Sequence, residues 1–184
     1  MPFKFERKNI PEVIVVEKMA FSDHRGFFEE MYKESEFKES GINGPFLQDN
    51  HSFSKKGVIR GLHFQKAPRS QGKLVSVISG KILDVAVDIR PQSQFYGKWV
   101  SEELSQENHR MLWVPEGFAH GFLALEDSHV LYKTTGEYSS EFEEGIIWND
   151  PDINVKWPAL PYVISQKDMS FGTLKELEKR GEIN

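Results

Sequence analysis

Two histidines in apolar surroundings are the residues of this sequence best suited to chemistry. His63 stands in the string GLHF and His120 in FAHGF. Imidazole titrates near neutral pH, so it can serve as an acid, a base or a metal ligand. Each histidine taken alone is also compatible with a hydrogen-bonded core residue, so the neighbouring residues must decide between these interpretations.

The run VIRGLHFQ, residues 58–65, has the composition of a buried strand but carries polar residues and a glycine. Strict alternation along a strand separates Arg60 from His63. A bulge at Gly61 would insert one residue and turn both side chains towards the same face. Arg60 alone is equally consistent with a salt-bridged strand residue. The pattern therefore predicts that Gly61 interrupts regular pairing if Arg60 and His63 serve one ligand.

A metal site is one hypothesis for histidines in such positions. A typical metal-binding strand carries His-x-His with a nearby carboxylate. At the matching positions around His63 the chain has Gly61 and Gln65, and neither supplies imidazole. We therefore predict a site without a metal or other cofactor.

Three further residues could join a site inside a β-barrel. Lys73 begins a strand behind a glycine, and Tyr132 alternates with apolar neighbours in HVLYKTT, where it could also be a plain core tyrosine. Asp168, in SQKDMS, is predicted in a loop before the last helix. A helix-capping role is the alternative for that aspartate.

Composition and charge limit the class of protein. A chain of 184 residues predicts one domain, residues 1–184. The net charge of −5 argues against a nucleic-acid or anionic-membrane partner, although a few arginines can still hold a small anion. There is no cysteine, and no apolar run resembles a signal peptide or a membrane span. These features predict a cytoplasmic location.

Short strand-like runs separated by turn residues dominate the chain and predict an all-β sandwich or barrel. The junction Ser79-Gly80 between KLVSVIS and KILDVAVDIR predicts a hairpin turn. Residues 34–40 favour one short helix. A short C-terminal helix is predicted from the spacing of Leu174 and Leu177, with Ser170 or Thr173 at its start.

Seven segments of the chain, taken in order from about Phe21 to Asp168, resemble the dTDP-4-dehydrorhamnose 3,5-epimerase family. The segments are FSDHRGFFEE, FLQDNHSFSKKGVIRGLHFQ, QGKLVSVISGKILDVAVDIR, NHRMLWVPEGFAHGF, LYKTT, EGIIWND and SQKD. This resemblance implies a cupin-type jelly-roll fold. It also implies an isomerase that inverts C3 and C5 of a dTDP-linked 4-keto-6-deoxy sugar on the way to dTDP-L-rhamnose.

The resemblance gives four residues catalytic roles. His63 is the expected base, Asp168 orients its ring, Lys73 stabilises the enolate, and Tyr132 is the acid on the opposite side. Removal and return of a proton next to a ketone needs such a base, such an acid and a cation near the enolate oxygen.

The resemblance also implies a set of substrate-binding residues and a homodimer. Phosphate, sugar and base contacts are expected from Arg25, Phe28, Glu30, Gln48, Asn50, Arg60, His120, Tyr138, Glu144 and Lys167. The spacing Arg-Gly-x-Phe-x-Glu favours Glu30 over Glu29 as the ligand-facing carboxylate. Exchange of N-terminal strands in the dimer would let residues 25–30 complete the partner's site.

Three other functions compete with this prediction. A relative acting on the same class of keto sugar could epimerise one centre only, or isomerise the ketone. A metal-dependent cupin is disfavoured by the missing His-x-His. A non-catalytic sugar-binding jelly roll would leave Lys73, Tyr132 and Asp168 without a common purpose.

Overall fold

The computed structural model describes residues 2–183 and shows two facing, mainly antiparallel β-sheets with a separate hairpin. Its elements in chain order are β1 (Phe3–Arg7), β2 (Ile14–Lys18), β3 (Ala20–Asp23), β4 (Gly26–Glu29), α1 (Glu34–Glu39), β5 (Gln48–Ser54), β6 (Val58–Gln65), β7 (Lys73–Ser79), β8 (Lys81–Asp88), β9 (Trp99–Ser105), β10 (Arg110–Val114), β11 (Phe118–Ala124), β12 (Ser128–Thr134), β13 (Glu143–Gly145), β14 (Val163–Ile164), α2 (Gln166–Met169) and α3 (Leu174–Lys179).

The first sheet has the strand order β1-β2-β10-β7-β12-β5, and the second has the order β13-β6-β11-β8-β9 with β14 parallel to β6. Strands β3 and β4 form a two-stranded sheet of their own. The predicted all-β fold is confirmed. The helix predicted over residues 34–40 is also confirmed, with bounds Glu34–Glu39.

The predicted hairpin at Ser79-Gly80 is wrong. Strand β7 pairs with β10 and β12 in the first sheet, while β8 pairs with β9 and β11 in the second. Gly80 has a φ of +81°, and a Cβ there would lie 2.2 Å from the Asp127 carbonyl oxygen. The glycine makes a tight corner between sheets, because a turn signal marks a change of direction but does not choose the pairing partner.

Apolar residues from both inner faces form the central core between the sheets. They come from alternate positions of the strands, as a two-sheet sandwich requires. The contributors from the strands are Val15, Val75, Val77, Ile82, Ala86, Val100, Leu104, Leu112, Val114, Phe118, Phe122 and Val130.

The C-terminal segment covers the outer face of the second sheet. Leu174 and Leu177 of α3 are buried there with Leu62 and Phe64 of β6. Full burial of a leucine side chain contributes about 1.5–3 kcal/mol. Of the two predicted starting residues, Thr173 is the N-cap of α3 and forms a capping box with Glu176. This docking keeps the chain just before α3 next to β6.

A bulge interrupts the pairing of β6 with β11 at the predicted place. His63 lies opposite His120 and Arg60 lies opposite Phe122, so β6 uses three steps where β11 uses two. Directly opposed residues of an antiparallel pair share a face. Because His120 and Phe122 are two residues apart and share the inner face, Arg60 and His63 also share it. The predicted bulge at Gly61 is confirmed.

The bulge depends on an unusually close approach of two backbones. Gly61 has a φ of +121°, and a Cβ at this position would lie 2.6 Å from the Gly121 Cα and 2.7 Å from the His120 carbonyl oxygen. The inner-face geometry of β6 therefore requires glycine at position 61.

We predict that Gly61→Ala lowers the free energy of unfolding by about 2–5 kcal/mol, because it adds overlap with β11 to the cost of a positive φ. The matched control is Gly26→Ala. Gly26 has a φ of +129°, but a Cβ added there would have no atom within 4 Å, so only the backbone cost of about 1–2 kcal/mol applies. Urea unfolding of both variants is the measurement, and equal losses would contradict the packing argument.

Candidate active site

A cavity of about 130 Å³ lies between the inner faces of the two sheets. Six residues predicted from the sequence line it, namely Gln48, Asn50, His63, Lys73, Tyr132 and Tyr138. His63 belongs to the second sheet and Tyr132 to the first. The cavity therefore has an imidazole on one wall and a phenol on the other.

Strand register explains why the residues of the first sheet converge. Thr134 of β12 pairs with Gln48 of β5 on one side and with Lys73 of β7 on the other. Two residues earlier, Tyr132 pairs with Asn50 of β5 on one side and with Val75 of β7 on the other. Residues at these two levels share the inner face because side chains alternate with a period of two.

His63 and Asp168 form a hydrogen-bonded pair. The distance between His63 Nε2 and Asp168 Oδ1 is 2.9 Å, and the Gly61 N–H donates to Asp168 Oδ2 over 3.1 Å. Burial of Asp168 acts to raise the pKa of its carboxyl, but the hydrogen bonds from His63 and Gly61 outweigh that effect and lower it. The carboxylate thus stays charged and orients the imidazole.

Asp168 lies in the helix α2, which corrects its predicted position in a loop. Ser165 caps this helix by accepting a hydrogen bond from the Asp168 N–H, so Asp168 itself stands inside the first turn. The preceding strand β14 pairs with β6 at Val58 and Ile59. That pairing aligns α2 with β6 and explains how a residue 105 positions away reaches His63.

Lys73 is buried beside the cavity, with 8% of its surface exposed. Its Nζ donates to the His63 carbonyl oxygen over 3.2 Å. Burial lowers the pKa of the Lys73 amine to about 8, although Asp84 and Glu143 oppose this shift. At neutral pH the amine is therefore a mostly charged donor in a dry environment.

Tyr132 faces the cavity with a protonated hydroxyl. Burial raises the pKa of that hydroxyl, and the nearby Arg60 guanidinium opposes the shift. Arg60 reaches from β6 across to β5, where it donates to Ser54 Oγ at 2.9 Å and to the Phe53 carbonyl oxygen at 3.0 Å. A cation therefore stands near the tyrosine, at the edge where the two sheets meet.

His120 is buried and bonds to Asp84 rather than lining the cavity. The distance between His120 Nε2 and Asp84 Oδ1 is 2.7 Å. Burial lowers the pKa of the His120 imidazole despite the Asp84 carboxylate, so the ring is neutral near pH 7. His120 remains a direct neighbour of the site because it lies opposite His63 in the sheet.

Glu143 lines the cavity, whereas the predicted Glu144 does not. Strand β13 pairs Glu143 with Gln65 on the inner face and Glu144 with Phe64 of the outer core. The Glu144 carboxylate instead accepts a hydrogen bond from the Gly145 N–H. Glu144 was predicted to bind the ligand, but the structure places its neighbour Glu143 at the cavity, because a one-residue step along a strand changes the face.

Glu143 also binds two predicted binding residues, Tyr138 and Lys167, at the mouth of the cavity. It accepts a hydrogen bond from the Tyr138 hydroxyl at 2.6 Å and forms an ion pair with Lys167 at 2.6 Å. The Tyr138 N–H donates to Gln48 Oε1 over 2.9 Å. Tyr138 and Lys167 are thus held together at the rim.

Three predicted binding residues stand away from this cavity. Arg25 lies at the turn of the β3–β4 hairpin and forms an ion pair with Asp23, and Phe28 is 66% exposed. Glu30 follows β4, and its Oε2 atom is buried without a hydrogen-bond partner among residues 2–183. The neighbouring Glu29 is bound by Lys18 and His109, which leaves Glu30 as the ligand-facing candidate.

Sequence analysis missed four lining residues, Phe64, Gln65, Gln71 and Glu143, and two residues next to the site, Asp84 and Phe171. Asp84 carried the same signal as His63, a polar side chain in a largely apolar strand. Phe171 packs edge-on against the His63 ring with a centroid distance of 5.7 Å. Nothing in the local sequence indicates that contact, because it depends on how α2 docks.

No group of three or more His, Asp or Glu side chains among residues 2–183 is arranged to hold a metal ion. Within the same residues, none of the helices has the length and apolarity needed to cross a bilayer.

The two facing sheets have the architecture of a jelly roll, and the His63–Asp168 pair and Tyr132 lie on opposite walls of its cavity. The family model described as dTDP-4-dehydrorhamnose 3,5-epimerase matches residues 7–176. The chain belongs to this family. It is an epimerase of nucleotide-sugar, dTDP-rhamnose, biosynthesis, and its predicted cupin-type jelly roll is confirmed.

Three similar proteins illustrate the relationship. A dTDP-4-dehydrorhamnose 3,5-epimerase of Shigella flexneri is 49% identical over 166 residues, covering 89% of this chain and 92% of that protein. The crystal structure of the Sulfolobus tokodaii enzyme of that name has a TM-score of 0.90 at 46% identity, covering 96% and 97% of the two chains. A dTDP-6-deoxy-D-glucose-3,5-epimerase of Legionella pneumophila, solved with dTDP-4-keto-L-rhamnose, has a TM-score of 0.94 at 41% identity, covering 98% and 97%.

We predict that Asp168→Asn destabilises the fold by about 1–3 kcal/mol at pH 7, since it weakens hydrogen bonds to a buried charge. The lowered pKa of Asp168 means that its stabilisation is present above the unfolded value of about 4 and is lost as the pH falls below it. The loss caused by the substitution should therefore shrink in acid.

Urea unfolding at pH 7 and at about pH 3.5 measures this change. Asp152→Asn is the control, because Asp152 is 49% exposed and pairs only with the surface residue Lys175. A loss for Asp168→Asn that stays constant with pH would show that the carboxylate charge does not contribute.

Proposed function

We propose that this chain inverts C3 and C5 of dTDP-4-dehydro-6-deoxy-D-glucose to give dTDP-4-dehydro-L-rhamnose. The observation that carries the proposal is the position of His63 and Tyr132 on opposite walls of one cavity. Inversion removes a proton from one face of a carbon and returns one to the other, so it needs two proton-transferring groups across the ring. The Legionella relative, bound to the corresponding product sugar, supports this choice of substrate.

His63 acts as the base in this proposal. With Nε2–H donated to Asp168 Oδ1, the imidazole presents the Nδ1 lone pair to an acidic C–H of the sugar. This C–H bond is acidic because the neighbouring C4 ketone accepts the electron pair that the departing proton leaves on the carbon. The Asp168 carboxylate stabilises the imidazolium that results.

Lys73 stabilises the enolate that forms when the proton leaves. Its ammonium group is buried and held by the His63 carbonyl oxygen, so it lies close to the base. A preorganised cation in a dry cavity stabilises developing negative charge far more than it would in water. The same group serves both centres, because C3 and C5 flank the same ketone.

Tyr132 returns a proton to the opposite face of the ring. Its hydroxyl remains protonated through the neutral range, as its raised pKa requires. Arg60 stands nearby and favours the phenolate that donation leaves behind. Bulk water then returns a proton to the phenolate and accepts the proton carried by the His63 imidazolium, which completes the cycle.

The nucleotide part of the substrate binds along the rim. Arg60 and Lys167 supply cations for the diphosphate, and the half-exposed Tyr138 ring offers a surface for the thymine base. Gln48 and Asn50 present amide groups from the first sheet for sugar or base hydroxyl and carbonyl groups.

We predict that the purified protein, given dTDP-4-dehydro-6-deoxy-D-glucose in D₂O, incorporates deuterium at both C3 and C5. His63→Ala should abolish exchange at both centres. Tyr132→Phe, which removes only a hydroxyl, should lower turnover by about 10²–10⁴-fold with little change in binding. Mass spectrometry and NMR of the product sugar measure these effects.

Exchange at one centre alone would replace the proposal by single-centre epimerisation. A fully active Tyr132→Phe variant would show that another group is the acid. Phe53→Leu is a control, because Phe53 is an exposed residue on the outer face of β5 and leaves the cavity unchanged.

We also propose that the chain works as one domain within a homodimer whose β3–β4 hairpins complete the neighbouring site. Within one subunit, Arg25 and Phe28 lie outside the cavity, although they match ligand-binding positions of the family. The hairpin exposes Phe21, Phe27 and Phe28 by 53%, 53% and 66%, more apolar surface than a solvated hairpin normally carries. A second copy of the chain would cover this surface and receive Arg25.

We predict that inactive Arg25→Ala and His63→Ala subunits regain activity when they are mixed under conditions that exchange subunits. Each mixed dimer would contain one site with intact His63 from one subunit and intact Arg25 from the other. Random exchange makes about half of the dimers mixed, so activity should recover to about a quarter of the wild-type value.

Mixing His63→Ala with Tyr132→Phe is the matched control. Both residues lie in the same subunit's cavity, so every site in that mixed dimer keeps one defect and no recovery is expected. Failure of the Arg25 mixture to recover, with subunit exchange verified by mass, would contradict the shared site.

A further inference from the structure

Asp84 is a buried carboxylate that the proposed reaction does not use. It lies on β8 between Ile82 and Ala86 of the central core, and none of its surface is exposed. Its Oδ1 accepts from His120, whereas Oδ2 is buried without a hydrogen-bond partner among residues 2–183. A single hydrogen bond from a neutral imidazole compensates poorly for the desolvation of a carboxylate, so another group must balance this charge.

Lys73 is the cation available to Asp84 inside the barrel. It is itself buried, and its ammonium group donates to a neutral carbonyl oxygen. That carbonyl belongs to His63, which lies opposite His120 in the sheet, and His120 in turn bonds to Asp84. The Asp84 carboxylate, followed by that of Glu143, opposes the lowering of the Lys73 pKa by burial. The two ions do not form a direct salt bridge in the described chain, so their attraction acts through the interior, where screening is weak.

We propose that Asp84 is a positioning residue that keeps Lys73 in its cationic form next to the substrate ketone and, through His120, holds that part of the barrel wall. The inference rests on the role of Lys73 in the proposed function. Through this arrangement the enzyme retains a charged lysine in a cavity dry enough to make that charge effective.

The pH dependence of turnover tests this arrangement. The titratable or charged groups around Lys73 are Asp84 on β8, Glu143 on β13, His63 on β6, His120 on β11 and Tyr132 on β12. Wild-type kcat should fall as the pH rises through about 8, where the amine loses its proton. In Asp84→Asn the same fall should occur about one pH unit or more lower, with KM little changed.

Asp88→Asn is the matched control. Asp88 lies on the same strand, is equally buried and pairs with Arg90. This variant should lose stability without moving the alkaline limb, since Asp88 is not among the charges acting on Lys73. An Asp84→Asn profile that superimposes on those of the wild type and Asp88→Asn would overturn the inference.

Lys73→Met separates this inference from the proposed function. If the residual activity of Lys73→Met keeps the wild-type alkaline limb, the role of Lys73 itself is wrong. If the limb disappears in Lys73→Met but stays in place in Asp84→Asn, only the inference about Asp84 fails.

A double variant covers the case in which Asp84→Asn does not fold. Removing both charges leaves neither unpaired, so Lys73→Met/Asp84→Asn should recover thermal stability relative to Asp84→Asn alone. A double variant that is as unstable as the single one would overturn the pairing of the two residues.

Discussion

The close contact of β6 and β11 at Gly61 and Gly121 is the constraint on which the site depends. Two strand backbones approach here more closely than any side chain allows, and β6 gains one residue relative to its partner. Without that extra residue Arg60 and His63 would point to opposite faces. The Gly61 N–H also binds Asp168, so one glycine sets both the direction of the histidine and the position of its carboxylate.

A second constraint is the burial of charge between two apolar sheets. Lys73 and Asp84 lie at strand positions where a barrel normally carries aliphatic side chains, and Asp168 of α2 is buried against β6. Each ion is costly in this environment, so each must be compensated by a hydrogen bond or an opposite charge. The compensating contacts lower the pKa of Asp168 and limit the fall in the pKa of Lys73. The charged groups that are costly to bury are therefore the ones that line or adjoin the cavity.

The barrel strands and the β3–β4 hairpin differ in how firmly strand pairing holds them. The cavity residues His63, Lys73 and Tyr132 lie on strands β6, β7 and β12, whose positions are set by pairing on both sides. Glu29, bound by Lys18 and His109, anchors the base of the hairpin to the first sheet, while Phe21 and Phe28 on its two strands are exposed.

The sequence by itself determined the all-β class, the helices α1 and α3 and the interruption at Gly61, because these depend on local alternation, turn residues and the spacing of apolar groups. The series of family motifs also identified six of the residues that line the cavity, including His63, Lys73 and Tyr132. Local pattern could not choose strand partners, so the Ser79-Gly80 turn was wrongly predicted to be a hairpin. It likewise could not tell Glu143 from Glu144.

Only the tertiary structure decided these points, since alternation defines two faces of a strand without saying which one is inside. The same limit explains Asp168, whose contact with His63 depends on β14 pairing with β6 and on α2 following it. Asp84 shows the limit most clearly. Its sequence context marks it as unusual, but its significance comes from Lys73 and His120, which two other strands bring to it through long-range pairing.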